Sequence, residues 1–323
     1  MSELEPNFFV IGAARSGTTS LAAALREHQD VFVTTPKEPH FLAFAGRSVH
    51  FSGPGDDLML NQRAVTNYAA YLNLYSAAGD AKARGDASVS TLYYAERSIT
   101  SINTYFPHAK MIVILRDPVH RAFSSYQYLR SRGFESCGTF EEALDLEDER
   151  IDRGWHHQWH YTRASMYAQQ LVPFIDAFGA QRVLVLFFDD LKSSGRTVLE
   201  SILQFLEVGP LPATGAVGRW NSSGDPRSDL ITRMRRLAAT TPAINRTARA
   251  LVPQPIRQRL RSWSLKPVSI PQDAEERLRR QFQPSTGSLR DVLRSNYPSM
   301  TQNWPPWLQG VSSRPLQPPQ RSR

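Results

Sequence analysis

The chain has 323 residues, of which 41% are hydrophobic, and this content supports a sizeable core and excludes a largely disordered protein. Its single cysteine, Cys137, cannot form an intramolecular disulfide or a thiolate metal cluster, which favours a reducing compartment. The net charge of +8 is uneven, because residues 219–294 hold 16 Lys or Arg against six Asp or Glu. This distribution is not that of a uniformly basic nucleic-acid-binding protein, and it indicates an anionic ligand or surface near the C-terminal third.

Short apolar runs alternate with amphipathic segments along the first two thirds of the chain. The runs predict buried strands at 7–12, 30–34, 87–92, 111–115 and 183–188. Helical spacing of apolar residues predicts helices at 18–28, 62–77, 98–106, 119–132, 139–153, 165–178 and 196–206. Buried strands alternating with helices predict an α/β fold, with a central parallel sheet between two helical layers.

The composition of the sequence changes at Pro210. Beyond this residue arginine and proline are frequent, and the pattern predicts no clear strand. We expect a single domain over residues 1–310, made of a core at 1–209 and a helical, Arg-rich extension at 210–310, with a disordered Pro-rich tail at 311–323. The Arg-rich segment 233–261 has two interpretations. It makes peripheral contact with an anionic membrane, or its apolar stripe packs on the sheet and its arginines are solvated, and we favour the second.

Neither a signal peptide nor a membrane-spanning run is visible. The N-terminal residues lack a basic segment followed by a long apolar one, and the longest apolar runs have the length of strands. A spanning helix needs roughly 18 apolar residues. We therefore expect a cytoplasmic protein.

A glycine loop lies between the first strand and the first helix, with the sequence Gly12-Ala13-Ala14-Arg15-Ser16-Gly17-Thr18-Thr19. A loop at this place presents backbone amides and a helix N-terminus to a phosphate. The two glycines have the Walker A spacing, which predicts a P-loop-like fold, but Thr18 stands where a nucleoside triphosphatase needs lysine. Arg15 supplies a cation inside the loop instead. A sulfuryl group carries less charge than a phosphoryl group, so its transfer can proceed without a metal ion.

A second candidate site for an anion follows the strand at 111–115. Arg116 lies at the carboxyl end of that strand, where parallel sheets bind their ligands, and Ser124 lies about two turns into the next helix. A planar guanidinium and a hydroxyl together suit a terminal phosphate.

The segments ARSGTTSL and ILRDPVHRAFSSY together resemble motifs of the sulfotransferase superfamily. Within it, they are most similar to those of heparan-type carbohydrate sulfotransferases and their bacterial relatives. The resemblance runs from about Asn7 to Gly209. It implies 3′-phosphoadenosine 5′-phosphosulfate as donor and no metal requirement. It places Arg116 and Ser124 on the 3′-phosphate, and the residues that it places on the phosphosulfate are Arg15, Ser16, Gly17, Thr18, Thr19 and Ser20. The family usually has lysine where this chain has Arg15, so we expect Arg15 to stabilise charge only.

The stretch Lys37-Glu38-Pro39-His40-Phe41 resembles the Glu-x-His-Phe-Phe stretch of heparan-type enzymes, whose glutamate is the base. Glu38 is therefore the first candidate for the catalytic base, and His40 is the second because its ordinary pKa suits proton transfer. Without the resemblance, a surface carboxylate paired with Lys37 is the favoured interpretation of Glu38.

Several further residues have more than one interpretation. Tyr167 or Arg163 contacts the adenine, with a place in the core as the alternative for Tyr167, and Arg227 is a second ligand of the 3′-phosphate or a solvated loop residue. His156, His157 and His160 include a helical pair, but no third ligand or acidic partner at metal spacing indicates zinc. The acidic run 141–152 is interpreted most simply as a solvated helix face.

The sequence thus predicts transfer of a sulfuryl group to a hydroxyl or amine of an acceptor, with a carbohydrate, a glycolipid and a small metabolite all open. Two alternatives remain. A P-loop kinase or nucleotidase requires Mg²⁺, and a non-catalytic anion-binding module on a degenerate sulfotransferase fold does not require Glu38 or His40. The oligomeric state stays open.

Overall fold

The computed structural model describes residues 5–211, 225–226, 265–266 and 268–309. Its main sheet contains β1 (Phe8–Gly12), β2 (Val31–Val33), β3 (Ala83–Asp86), β4 (Lys110–Leu115) and β5 (Val183–Phe187). The first helices along the chain are α1 (Thr18–Leu25), α2 (Phe41–Phe44), α3 (Tyr68–Asn73), α4 (Ser90–Tyr93), α5 (Ala95–Tyr105), α6 (Pro118–Ser131) and α7 (Phe140–Asp145). They are followed by α8 (Glu147–Asp152), α9 (Tyr167–Phe178), α10 (Phe188–Ser193), α11 (Gly195–Phe205), α12 (Gln272–Asn296) and α13 (Pro306–Gln309).

All five strands of the main sheet are parallel, in the order β2-β3-β1-β4-β5. This confirms the predicted α/β fold with a parallel sheet. The chain leaves β1 toward one edge of the sheet and later returns to place β4 on the other side of β1. The carboxyl ends of β1 and β4 are therefore neighbours at the point where the strand order reverses, and such crevices bind ligands in open α/β sheets.

Alternate side chains of the strands belong to two separate apolar layers. On β1, Phe9 and Ile11 pack in the layer that also contains residues of α5, α9 and α12. Phe8 and Val10 pack in the opposite layer with residues of α1 and α11. Because successive side chains of a strand point to opposite faces, this division shows helices on both faces of the sheet, as the sequence predicted.

A third apolar cluster joins α6 and α7 to the start of α12 and to the 3₁₀ turn His157–Trp159. The cluster has the buried residues Phe123, Tyr126, Phe140, Trp159 and Leu278 among its members and does not share residues with the sheet layers. Next to it, a buried ion pair joins Arg150 and Glu135. α6 is thereby held by a cluster of its own, apart from the two sheet layers.

The prediction of a strand at 87–92 is wrong, because β3 ends at Asp86 and Ser90 begins α4. β3 has a polar sequence that reads as a loop, but pairing on both sides, with β1 and β2, makes it a strand. Gly85 is required there, since a Cβ atom at this position would approach the carbonyl oxygen of Phe8 to 2.2 Å. The helix predicted at 62–77 is likewise shorter, and α3 covers only Tyr68–Asn73.

The acidic helix predicted at 139–153 is two helices, α7 and α8, that meet at Leu146. The predicted capping box of Thr139 and Glu142 is present. The run is not a fully solvated face, because Glu147 is buried and accepts hydrogen bonds from the backbone amides of Thr162 and Arg163. Binding these amides turns Glu147 inward and explains the break in the helix.

Beyond Pro210, a short antiparallel pair is formed by β6 (Asp225–Pro226) and β7 (Leu265–Lys266), which the sequence did not predict. Apart from this pair, the regular elements described in the C-terminal extension are helical and include α12 and α13. Arg227, the Arg-rich segment 233–261 and the tail 311–323 lie outside the described residues, and the predicted domain limits stay predictions. None of the helices in the described ranges has the length and apolar character to span a membrane.

Candidate active site

The glycine loop leaves β1 at its carboxyl end and enters α1 at Thr18. Gly17 is the N-cap of α1 and has a φ of +90°, a conformation that L side chains rarely adopt. A Cβ atom at Gly17 would lie 3.1 Å from side-chain atoms of Leu191 and Phe188. No side chain in the described ranges caps α1, and the amides of Thr18 and Thr19 at its start are available to an anion, whereas that of Ser20 donates to the carbonyl oxygen of Gly17.

Ser16 adds a buried hydroxyl to the glycine loop. The side chain is 0% exposed, and within the described ranges its Oγ has no hydrogen-bond partner. A buried hydroxyl without a partner costs free energy, and a bound phosphate or sulfate oxygen would satisfy it. The loop therefore fits the anionic group that the sequence assigned to it.

Arg116 and Ser124, the second predicted anion site, lie beside the loop. Nη1 of Arg116 donates to the carbonyl oxygen of Arg15 at 2.9 Å, and Nε of Arg15 donates to Oγ of Ser124 at 3.4 Å. The guanidinium of Arg116 also lies 4.8 Å from the ring centre of Phe188. The two predicted sites thus occupy one edge of the sheet and are in contact through Arg15.

α6 carries Ser124 and starts at Pro118, two residues after Arg116. Asp117 is its N-cap, and the carboxylate accepts from the amides of Val119 at 2.9 Å and His120 at 3.2 Å. Pro118 occupies the first position of the helix, where its missing N–H has no cost. This local capping places Ser124 two turns along a helix whose start is set by β4.

Lys37 connects the glycine loop to the candidate base. Its Nζ donates to Oγ1 of Thr18 at 3.2 Å and forms an ion pair with Oε1 of Glu38 at 2.6 Å. Lys37 is 15% exposed and Glu38 is 28% exposed. The cation that the loop lacks at position 18 is therefore supplied from the loop after β2, and the same cation holds Glu38 beside α1.

His40, the second candidate base, is buried behind Glu38. Its Nε2 lies 3.8 Å from Oε2 of Glu38, and its Nδ1 shares a hydrogen bond of 2.8 Å with Oγ of Ser90. Burial lowers the pKa of His40 to about 4, an effect only partly opposed by Glu38. His40 is consequently neutral at neutral pH, and it lies behind the carboxylate.

Burial alone would raise the pKa of Glu38, but the charge of Lys37, with a further effect from His40, holds it below the ordinary value. Glu38 is therefore a carboxylate throughout the neutral range. A carboxylate with a depressed pKa is a weaker base than one tuned to neutral pH, although it is fully deprotonated and able to accept a proton.

Asp86 is a further carboxylate near this site that the sequence analysis missed. It ends β3, is 1% exposed and accepts a hydrogen bond of 2.5 Å from the hydroxyl of Tyr71. Burial raises the pKa of Asp86 to about 6, although the hydrogen bond from Tyr71 opposes the shift. In the sequence, the acidic residue directly after Gly85 would have indicated this carboxylate if the strand had been assigned to 83–86. The wrong prediction of a strand at 87–92 concealed it.

Tyr167 is 2% exposed and belongs to the apolar layer against the sheet. Its hydroxyl donates to the carbonyl oxygen of Arg116 at 2.8 Å. The geometry therefore favours Tyr167 as a core residue. Tyr167 contacts the site through the backbone of Arg116.

The three neighbouring histidines form part of the packing between α4 and the 3₁₀ turn. His156 lies 3.4 Å from a carboxylate oxygen of Asp56, and His160 shares a hydrogen bond of 2.5 Å with the hydroxyl of Tyr93. His157 stacks on Tyr93, with 5.6 Å between ring centres. Within the described ranges, no group of three His, Cys, Asp or Glu side chains is arranged to hold a metal ion.

The sequence matches the model of a known family, the sulfotransferase family, over residues 6–211. The chain belongs to the sulfotransferase family. The matched range contains the glycine loop, the Lys37–Glu38 pair and the residues Arg116 and Ser124. The family assignment agrees with the resemblance seen in the motifs of this chain.

A solved structure with the same fold is the sulfotransferase from Alicyclobacillus acidocaldarius, which is 27% identical and superposes with a TM-score of 0.68 over 90% of this chain and 96% of that one. Carbohydrate sulfotransferase 15 of Homo sapiens is 28% identical over 249 residues, which are 64% of this chain and 44% of that protein. The bifunctional heparan sulfate N-deacetylase/N-sulfotransferase 1 of Caenorhabditis elegans is 23% identical over 64% of this chain and 22% of its own length. The chain therefore spans less than half the length of these two relatives.

Proposed function

We propose that this sulfotransferase transfers a sulfuryl group from 3′-phosphoadenosine 5′-phosphosulfate to a hydroxyl of a carbohydrate acceptor, with Glu38 as base. The observation that carries the proposal is the double contact of Lys37, which joins Thr18 of the glycine loop to the carboxylate of Glu38. Through this contact, a group able to accept a proton lies next to the loop that suits a phosphosulfate.

The chain has the groups that the two ends of the donor require. The amides at the start of α1, the hydroxyl of Ser16 and the guanidinium of Arg15 are suited to the phosphosulfate, with Thr18, Thr19 and Ser20 beside them. Arg116 and Ser124 are suited to the 3′-phosphate. Two groups held in contact through Arg15 would fix the nucleotide in one orientation, which supplies the positional part of catalysis.

When bound, the donor supplies a sulfuryl group whose leaving group is 3′-phosphoadenosine 5′-phosphate. The acceptor oxygen forms a bond to sulfur while the bond from sulfur to the phosphate oxygen breaks. Glu38 accepts the proton of the acceptor hydroxyl, and its depressed pKa keeps it ready to do so at neutral pH. Lys37 and Arg15 stabilise the negative charge that develops on the oxygens of the leaving phosphate.

The class of acceptor rests on the relatives, since the names of carbohydrate sulfotransferase 15 and of the heparan sulfate N-sulfotransferase both refer to carbohydrates. An acceptor hydroxyl must lose its proton as it attacks, and Glu38, a carboxylate at neutral pH, is able to accept that proton. His40, buried and with a pKa of about 4, is the less suitable base.

Calorimetry tests the donor half of the proposal. The protein is titrated with 3′-phosphoadenosine 5′-phosphate, ATP and GTP, each with and without Mg²⁺. We expect binding of the first nucleotide that is independent of Mg²⁺. Tight binding of ATP that requires Mg²⁺, with no binding of the bisphosphate, would refute the proposal in favour of a kinase or nucleotidase.

Ser124→Ala sharpens the donor test and should weaken binding of the bisphosphate about 10-fold, as expected for a lost hydrogen bond to a charged group. Ser193→Ala is the matched control, since the Ser193 hydroxyl donates to carbonyl oxygens of its own helix, α10, and its loss should leave binding unchanged. A labelled donor is then incubated with neutral, acidic and amino-sugar glycans. Labelling of none of them, with the donor bound, would remove the carbohydrate acceptor and leave the donor assignment standing.

A further inference from the structure

Two arginine side chains lie over the ring of Tyr128. The guanidinium carbon of Arg15 lies 4.4 Å from the ring centre, and that of Arg132 lies 4.7 Å from it. Contacts of this length are cation–π interactions, which orient a guanidinium without neutralising it. Two positive side chains are therefore collected at one tyrosine next to the glycine loop.

The sequence spacing on α6 places this group beside Ser124. Ser124, Tyr128 and Arg132 follow one another at intervals of four residues, and Arg132 is the C-cap residue of α6 with helical backbone angles, so the three lie on the same face of the helix. A long side chain at a helical position covers the turn that precedes it. The charged end of Arg132 is accordingly directed back toward Tyr128 and Ser124, which is where its contact with the ring is found.

Arg132 has no neutralising partner within the described ranges. No ion pair or hydrogen bond of its guanidinium is found there, and its Nε is buried without an acceptor. A partly buried cation near another cation is unfavourable unless an anion binds to it. A position at the end of a helix favours an arginine through the helix dipole, but the dipole does not explain why it stacks on the ring that also carries Arg15.

We propose that Arg132, held in place by Tyr128, is a further ligand of the 3′-phosphate of the donor; this rests on the proposed function. A terminal phosphate carries close to two negative charges at neutral pH. One guanidinium nitrogen of Arg116 is already engaged by the carbonyl oxygen of Arg15. Arg132 supplies a second guanidinium on the Ser124 side of the site, and it thereby contributes to selection of nucleotides that carry a 3′-phosphate.

The test compares two nucleotides on the full chain by calorimetry. For Arg132→Gln we expect about 10-fold weaker binding of 3′-phosphoadenosine 5′-phosphate, the size expected for one charge-assisted contact, and unchanged binding of adenosine 5′-phosphate. Arg132→Lys should recover part of the loss, because it keeps the charge but not the planar group. Tyr128→Leu should reduce binding of the bisphosphate as well. Arg153→Gln is the matched control, since Arg153 pairs with Glu149 on the surface.

Three outcomes would overturn the inference. Equal affinity of Arg132→Gln and the wild type for the bisphosphate removes Arg132 from the site, and an equal loss for both nucleotides shows that Arg132 does not select the 3′-phosphate. If Arg132→Gln raises the KM for an acidic acceptor and leaves donor affinity unchanged, Arg132 belongs to the acceptor site instead. If the wild type does not bind the bisphosphate at all, it is the proposed function that fails, and the two failures are thus distinguishable.

Discussion

Replacing Glu38 by glutamine removes the candidate base while keeping the size and most of the polarity of the side chain. The amide cannot accept the proton of an acceptor hydroxyl, so kcat should fall. General bases contribute about 10²- to 10⁴-fold to a rate, and the contribution is largest when their pKa lies near the working pH. Because Lys37 and His40 hold the pKa of Glu38 below its ordinary value, we expect a loss near the lower end, about 10²-fold.

The binding of the donor should respond differently from the rate. Glu38→Gln leaves Lys37 without its carboxylate partner but keeps the contact of Lys37 with Thr18 in place. We therefore expect affinity for 3′-phosphoadenosine 5′-phosphate that is equal to or tighter than that of the wild type. The assay measures kcat with labelled donor and affinity by calorimetry on the same preparations.

Glu207→Gln is the matched control for this experiment, because Glu207 also pairs with a lysine, Lys110, at 2.6 Å and is 82% exposed far from the loop. It should leave both kcat and affinity unchanged. The pH profile gives a second readout: the active carboxylate is lost only as the pH falls through its depressed pKa, so the acid limb of kcat should lie below the ordinary pKa of a glutamate. Unchanged kcat in Glu38→Gln would refute the assignment of the base.

Three further predictions concern stability and donor binding. Burial raises the pKa of Asp86 to about 6, so its contribution to stability is present at low pH and is lost as the pH rises through about 6. In Asp86→Asn, the free energy of unfolding measured by chemical denaturation should therefore change less between pH 4 and 7 than in the wild type, by about 3 kcal/mol. The same pH dependence in both proteins would contradict this prediction. Arg150→Met leaves the buried Glu135 without its cation, and its free energy of unfolding should fall by about 3–5 kcal/mol, with part of the loss recovered in the double variant with Glu135→Gln. Gly17→Ala introduces a Cβ at a φ of +90° against Phe188, so both the melting temperature and donor affinity should fall, and an unchanged affinity would show that the loop does not hold the donor.

Much of the fold was predictable because its signals are local. The apolar runs that became β1, β4 and β5 are long enough to be recognised as buried strands, and the helices between them have regular apolar spacing. β3 was misplaced because its sequence is polar and small, and it becomes a strand only between two neighbours. The acidic helix was predicted as one element because the inward turn of Glu147 depends on amides 15 and 16 residues away.

The sequence by itself determined the family of this protein and the places of the two segments proposed to bind the donor, because each segment directly follows a recognisable strand and is recognised by its own residues. Only the tertiary structure decided how these segments meet. The contacts of Arg15 with Ser124, of Lys37 with Thr18, and of both Arg15 and Arg132 with Tyr128 join residues from different elements. The order of the strands in the sheet and the position of α6 at its carboxyl edge set these contacts, and neither is encoded in a short stretch of sequence.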